Sequence, residues 1–432
     1  MPGTLSASLP KRKSIPCPLS KGTVAVKIVE AMFEWNLLTT MLDGASMQRW
    51  NDKIRPVELR ELDKQAHKML IAYVLGKFEE QDDAFSWVEI IEGGLFEFLE
   101  RLVITDLKPQ IFDRIRQDRE RYGRLKEWTF KRLEPMLASM GEGVPHRFRA
   151  YFDDDRETLG RRILRAAHLY ATRWEFDLIE HFNPGGREML EIRATLQERQ
   201  ERYSDLRGIQ ALAVYQNYRH FVDLCGQLRF QLRWAHINMV PRISVLGHML
   251  MVAILSYLLS VEMKACRRRA VNNYFTGLFH DLPEVLTRDI ISPVKRSVEG
   301  LDEVIKTYEK EQMEKEVYRL IPAAWKDEIA MYVEDEFTSI VTIDGAPVPA
   351  TSDEISRRFN EDRFSPRDGE LIKAMDDLVA LAEATAAMGN GIAARALREA
   401  ESGIRNRYRD LETCGIDIGR LFREAPTPAL RP

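Results

Sequence analysis

Cysteine is scarce. Four residues in a chain of 432, Cys17, Cys225, Cys266 and Cys414, lie far apart and form neither a CxxC pair nor a zinc-finger spacing. A disulfide scaffold is thereby excluded, and a reducing cytoplasm is the expected compartment. Charge of one sign is also missing. Lys+Arg number 63 against 67 Asp+Glu, a net charge of −4, so neither the basic excess of a nucleic-acid partner nor an acidic solvating tail is present. No GxxxxGK[ST] or GxGxxG loop is available to cradle phosphates, and no serine elbow offers a nucleophile. Residues 1–22 carry charge without an apolar stretch and read as a flexible tail rather than a secretory signal. One long apolar run exists, Val245 to Val261 (VLGHMLMVAILSYLLSV). It is shorter than the roughly 20 residues a bilayer requires and contains His248, so it is expected as the central helix of a bundle, with no membrane involved.

What is there is helical. Hydrophobic residues make up 45% and charged residues 30% of the chain, which suits a folded protein and excludes one disordered throughout. Strand alternation is rare, and helical spacing recurs, so the fold class is all-α. Residues 59–80 place Leu62, Ala66, Met69, Leu70, Tyr73 and Val74 on one stripe. Residues 107–137 mix charge with apolar positions at helical spacing, and 186–205 form a charged, solvent-facing helix. Further amphipathic helices are expected over 301–320 and 369–388. The stretch 337–369, with three prolines and two glycines, is irregular until 352–360 and reads as an insertion.

Three blocks recur in the same order. Ala66-His67-Lys68-Met69-Leu70-Ile71-Ala72 resembles Gly247-His248-Met249-Leu250-Met251-Val252-Ala253. Leu95-Phe96-Glu97-Phe98-Leu99 stands opposite Leu278-Phe279-His280-Asp281-Leu282, and Ile163 to His168 stands opposite Leu371 to Asp376. The pattern suggests a duplicated helical unit with halves 23–205 and 206–432. In the first half Glu97-Phe98 replaces His280-Asp281, Arg101 replaces Glu284 and His168 replaces Asp376, so that half reads as a degenerate copy with a structural or regulatory role.

The chemistry is expected in the second half. Only eight histidines occur. His280 and Asp281 stand together where Pro283 interrupts a buried helix, and Glu284 follows at i+4 from His280. His248 lies on the all-apolar helix, where an unpaired polar nitrogen costs on the order of 1–3 kcal/mol. Asp376 borders the core side of the 369–388 helix, while Asp377 is expected to point more outward; a buried carboxylate needs a counter-charge. Ordinary hydrogen bonds would satisfy such residues separately. A divalent cation would satisfy them together, since imidazole and carboxylate suit Mn, Fe, Co, Ni or Zn and leave positions for water or phosphate. His146, His181, His220 and His236 have no such partner spacing.

These residues resemble a known signature. His248, His280-Asp281 and a late Asp376 resemble the metal-binding set of the HD-domain phosphohydrolases, and the closest likeness is to the YfbR-like 5'-deoxynucleotidases. That group carries an Arg-Trp pair before the first histidine, here Arg233-Trp234. It also carries HD-x-x-E-V-L-T-x-D followed by Pro-Val-Lys, here His280 to Asp289 and then Pro293-Val294-Lys295. The likeness covers roughly 228–400. It implies a helical bundle with one divalent ion held by His248, His280, Asp281 and Asp376. It implies hydrolysis of (deoxy)nucleoside 5'-monophosphates to nucleoside and phosphate. Glu284 would assist the attacking water, and Asp289 would contact the sugar or leaving oxygen. Arg233 would bind phosphate, Trp234 would wall the sugar, and Lys295 would be a further substrate contact. Other HD hydrolases act on dNTPs, cyclic nucleotides or (p)ppGpp, and an HD pocket can also bind nucleotide without turnover. A nucleotide is thus the expected partner, with no nucleic acid, and a homodimer is compatible with the reading. One departure stands out: Gly247 precedes His248 where the family commonly has an acidic residue. The insertion at 337–369 is a candidate lid.

Overall fold

The computed structural model describes residues 29–30, 33–105, 107, 109–141, 143–184, 187–288 and 298–427. The 1–22 tail, Asp289 and the Pro293-Val294-Lys295 run lie outside the described residues. The fold is all-α. In chain order the first half forms α1 (Trp35–Ser46), α2 (Glu61–Glu79), α3 (Trp87–Ile104), α4 (Pro109–Gln117), α5 (Arg119–Ser139), α6 (Val144–Asp153), α7 (Leu159–Glu180) and α8 (Arg187–Glu201). The second forms α9 (Arg207–Val214), α10 (Gln216–Gln227), α11 (Val245–Glu262), α12 (Arg267–Phe279), α13 (Glu284–Thr287), α14 (Leu301–Gln312), α15 (Ala323–Val333), α16 (Ser352–Glu354), α17 (Gly369–Gly389), α18 (Arg395–Tyr408) and α19 (Gly419–Arg423). Two small β elements accompany them. Strands β1 (Val29–Glu30), β5 (Ile416–Asp417) and β4 (Glu412–Thr413) form one sheet that ties the described ends together, and β2 (Ile340–Ile343) pairs antiparallel with β3 (Ala346–Pro349).

Two helices organise the core. α11 is apolar on every side, and all its residues from Val245 to Ser260 are buried, so the long apolar run is an interior helix. It packs against α12, α2 and α17. α2 is the second axis, packed against α7, α11, α9 and α3. The stripe expected on α2 is buried, but so are its polar residues Lys64, Gln65, His67 and Lys68. Helices cover α2 on several faces, so the side away from its apolar stripe is interior too. One continuous apolar cluster runs from Phe33 to Ala425 across both halves.

Close backbone approach sets the positions that matter. A Cβ on Gly277 of α12 would sit 2.7 Å from Ala253 Cα of α11, so glycine there lets α12 lie directly on α11 and delivers its end beside His248. A Cβ on Gly247 would sit 2.9 Å from Leu62 Cδ2 and 3.1 Å from Asp63 Oδ1. The glycine that departs from the family pattern therefore lets the first turns of α2 and α11 meet. Ser244, the N-cap of α11, accepts from Gly247 N (2.9 Å) and donates to Asp63 Oδ1 (2.5 Å).

Three local expectations are refined. The 107–137 stretch is two helices, α4 and α5, because Asp118 breaks it and caps the second by accepting from Arg121 N at 3.0 Å. The 301–320 stretch stops being α-helical after Gln312. α14 buries nothing, whereas Met313, Val317, Tyr318 and Leu320 in the wider and tighter turns that follow are buried. The 337–369 insertion contains a hairpin turned by Asp344 and Gly345, both at positive φ (51° and 79°), and then short helical turns between Ser352 and Phe364. Its foot is fixed rather than hinged. Ile340 bridges to Arg367, and the buried Arg367 guanidinium donates to the Asp335 (2.7 Å) and Thr338 (2.8 Å) carbonyls. Asp368 beside it is buried against Arg269, Ser339 and Ser352 and caps α17.

Candidate metal centre

His248 enters the site from the first turn of α11, His280 from the C-cap of α12 and Asp376 from α17. Their ligand atoms all lie within 4.8 Å of one another. Three side chains distant in sequence thus converge because α12 and α17 both pack on α11. Asp281, in the turn after α12, places Oδ2 3.2 Å from His280 Nε2 and 3.6 Å from Arg233 Nη1. Three of the four residues expected to hold one cation, His248, His280 and Asp376, are thus gathered together, with Asp281 against His280 at the edge of the group. Glu284 opens α13 one turn later and is buried, and its carbonyl accepts from Gln231 Nε2 at 2.8 Å.

The hydrogen bonds fix the histidine tautomers. His280 Nδ1 donates to the Gly277 carbonyl at 2.9 Å, which turns Nε2 into the site, where it makes no hydrogen bond of proper geometry. His248 lies between two carboxylates, with Nδ1 2.8 Å from Glu383 Oε1 and Nε2 2.9 Å from Asp376 Oδ1. Carboxylates only accept, so each nitrogen of His248 faces an acceptor. Burial lowers the His280 pKa, but the carboxylates of Asp281 and Asp376 outweigh burial and push it up to about 9. The His248 pKa is raised too, against burial and Arg233, by Glu383 and Asp376. Burial alone would raise Asp376, yet Lys373 and His248 hold it well below its usual value. The site thus draws positive charge onto its own imidazoles. Two inward imidazole nitrogens beside two carboxylates are the kind of donor set that would suit a divalent ion.

Sequence reasoning missed Glu383. Fully buried on α17, it accepts from Arg233 Nε (3.3 Å), Trp234 Nε1 (2.9 Å) and His248 Nδ1. It gives His248 an acidic partner although Gly247 stands where the family commonly has an acidic residue. Its signal was legible: a lone carboxylate in an apolar run, two helical turns after Asp376 on the same face. Arg233 and Trp234 are thereby anchored by one carboxylate, with the guanidinium turned also toward Asp281. Lys373 was missed as well; it donates to Asp376 Oδ2 at 2.7 Å and Asp377 Oδ1 at 3.2 Å. Asp377 corrects an expectation. It is as buried as Asp376, at 8% exposure each, because Arg407 (2.8 Å) and Tyr408 (2.6 Å) of α18 cover it. Phe337, at the foot of the insertion, has its ring 6.1 Å from that of His280.

Residues 225–404 match the model of the HD domain. The match supports the HD-domain superfamily for this segment, and with it a metal-dependent phosphohydrolase; every residue of the His248–His280–Asp376 cluster lies inside it. No curated protein and no solved structure matches the chain. The first half lies outside the HD domain, and there His67, Glu97 and His168 are held apart. His67 faces the Val222 carbonyl (3.0 Å) and Arg229, with its pKa held down to about 3 by burial and that guanidinium. Glu97 pairs with Lys68 (3.0 Å) and Tyr151 (2.7 Å), and His168 meets Lys64. Among the described residues the cluster in the HD domain is the only gathering of this kind.

Glu383→Gln gives the site a direct check. An amide removes the charge that orients His248 and anchors Arg233. Divalent-metal affinity, read by titration calorimetry, is expected to fall about 10–100-fold, the usual effect of losing a second-shell partner. Unchanged affinity would mean that Glu383 serves packing alone.

Proposed function

We propose that the HD domain hydrolyses nucleoside 5'-monophosphates, deoxynucleotides among them, to nucleoside and inorganic phosphate, as its resemblance to the YfbR-like 5'-deoxynucleotidases implies. The observation that carries the reading is the convergence of His248, His280 and Asp376 within 4.8 Å, with Asp281 beside them and Arg233 facing Asp281. A divalent ion in this donor set supplies Lewis acidity and lowers the pKa of a bound water. His248 and His280 would offer it ring nitrogens, their rings oriented by Glu383 and the Gly277 carbonyl. Asp281 and Asp376 supply the compensating negative charge. Arg233, held at its Nε by Glu383, directs its Nη1 side toward the ligands, where a guanidinium steadies charge building on a phosphoryl group. Glu284, buried one turn beyond Asp281, would take a proton from the attacking water, the role its position in the sequence signature implies. Trp234, with its indole N–H tied to Glu383, offers its ring as a wall rather than a donor. Lys295 and Asp289 are assigned by the sequence signature alone.

The test is phosphate release from a panel of ribo- and deoxynucleoside monophosphates, dNTPs, cyclic nucleotides and (p)ppGpp, with Mn, Co or Zn added in turn. Monophosphates are expected to be the best substrates. Preferential turnover of another class would refute the monophosphate assignment and keep the hydrolase. Nucleotide binding without release under any metal would refute the hydrolase.

A further inference from the structure

The two halves share a geometry that their sequences barely show. Before α2, Arg49 N donates to the Leu59 carbonyl (2.7 Å) and Glu61 N to the Met47 carbonyl (3.0 Å). Before α11, Arg233 N donates to the Ile243 carbonyl and Val245 N to the Gln231 carbonyl, both at 2.9 Å. All four pairs of positions are related by one constant offset in the chain. Each lead-in carries an Arg-Trp pair, and both tryptophans adopt positive φ, 54° at Trp50 and 56° at Trp234, a conformation rare for a large side chain. Each pair converges on one carboxylate. Glu383 takes Arg233, Trp234 and His248; Glu175 of α7 takes Arg49 Nε (2.8 Å), Trp50 Nε1 (3.0 Å) and Arg229 Nη1 (2.9 Å). Glu175 lies two turns after His168, as Glu383 lies two turns after Asp376.

This geometry sets the register. The offset that carries Arg49 onto Arg233 carries Lys64, not His67, onto His248, and Met69 onto Ala253. Gly94 of α3, where a Cβ would sit 2.4 Å from Met69 Sδ, then answers to Gly277 against Ala253, and Glu97 to His280. Where His248 meets Asp376, Lys64 meets His168. A lysine Nζ stands where the second half gathers its candidate metal ligands.

We propose that the chain is a tandem duplication whose first copy has exchanged a metal centre for an anion site, in which Lys64, Lys68, Arg49 and Arg101 bind a phosphate dianion, free or carried by a nucleotide. Lys64 is fully buried, yet among the described residues its Nζ has a single hydrogen-bonding neighbour, the Nδ1 of His168. Burial, with Arg49 and Lys68 close by, drives its pKa well down, and a bound anion would reverse that cost. Leaving Lys64 aside, Lys68, Arg49, Arg101 and the buried Arg229 face three carboxylates, Glu61, Glu97 and Glu175. The surplus is therefore positive. His168 is exposed above the buried lysines. A cavity of about 100 Å³ lined by Gln48, Asn51, Glu61, Arg101 and Thr105 opens beside Arg101. The inference does not depend on turnover in the second half.

The test is calorimetric titration of the full chain, in chelator, with inorganic phosphate and separately with dAMP. One equivalent is expected to bind. Lys64→Met and Arg101→Gln should each weaken it at least tenfold, and Arg233→Gln should leave it intact. Arg101 is partly exposed, so its variant decides the matter if Lys64→Met does not fold. Equal affinity for both probes identifies phosphate itself as the ligand; tighter dAMP binding identifies a nucleotide. Absence of binding, retention in Arg101→Gln, or loss in Arg233→Gln would overturn the proposal.

Discussion

Replacing Asp376 with alanine is expected to lower phosphate release by about three orders of magnitude. Asp376 is buried, one oxygen meets His248 Nε2 and the other meets Lys373. Removing it takes a candidate ligand and a negative charge from between His248 and the Lys373 ammonium. Charge stabilisation by a metal is worth several kcal/mol, and a loss of about 4 kcal/mol corresponds to roughly a thousandfold in rate. Metal content, read by elemental analysis, should fall in parallel. Asp281→Ala should behave alike, since that carboxylate lies between His280 and Arg233. An Asp376→Ala protein that retains both metal and rate would show that the cluster is structural.

The second large effect is on stability. Arg269 of α12 and Asp368 at the N-cap of α17 are both fully buried and form an ion pair. Arg269→Met keeps much of the side-chain volume but leaves the Asp368 carboxylate in the interior with only the hydroxyls of Ser339 and Ser352 and backbone amides. Breaking a buried pair from one side costs about 3–5 kcal/mol, and denaturant unfolding should show a loss of that size. Asp368 also starts the helix that carries Asp376, so metal affinity should weaken as well. A loss below about 1 kcal/mol would mean that the hydroxyls and amides suffice.

The His248–His280–Asp376 cluster was legible because each member is a polar residue on or beside an apolar face. His248 interrupts VLGHMLMVAIL, and His280-Asp281 ends a buried helix. Helical periodicity gave α2, α8, α11 and α17 nearly to their ends. Glu383 went unread although its spacing from Asp376 was visible, because the search was for ligands and not for what orients them. The hairpin at Ile340–Pro349 was hidden by Pro347 and Pro349, which break a strand pattern in sequence yet fit an edge strand. The His67–His248 pairing rests on residue type, whereas the hydrogen-bonded lead-ins to α2 and α11 share an offset that sets Lys64 opposite His248; residue identity alone carries no information on that backbone register.

The close meeting of α2 and α11 at Gly247 bears on how the protein can be handled. α11 is shielded from water partly by α2, a helix that the HD match does not include. A fragment trimmed to residues 225–404 would leave an oily flank of α11 bare and would be prone to clump on expression. Shortened versions of this chain need to keep both partners of that seam.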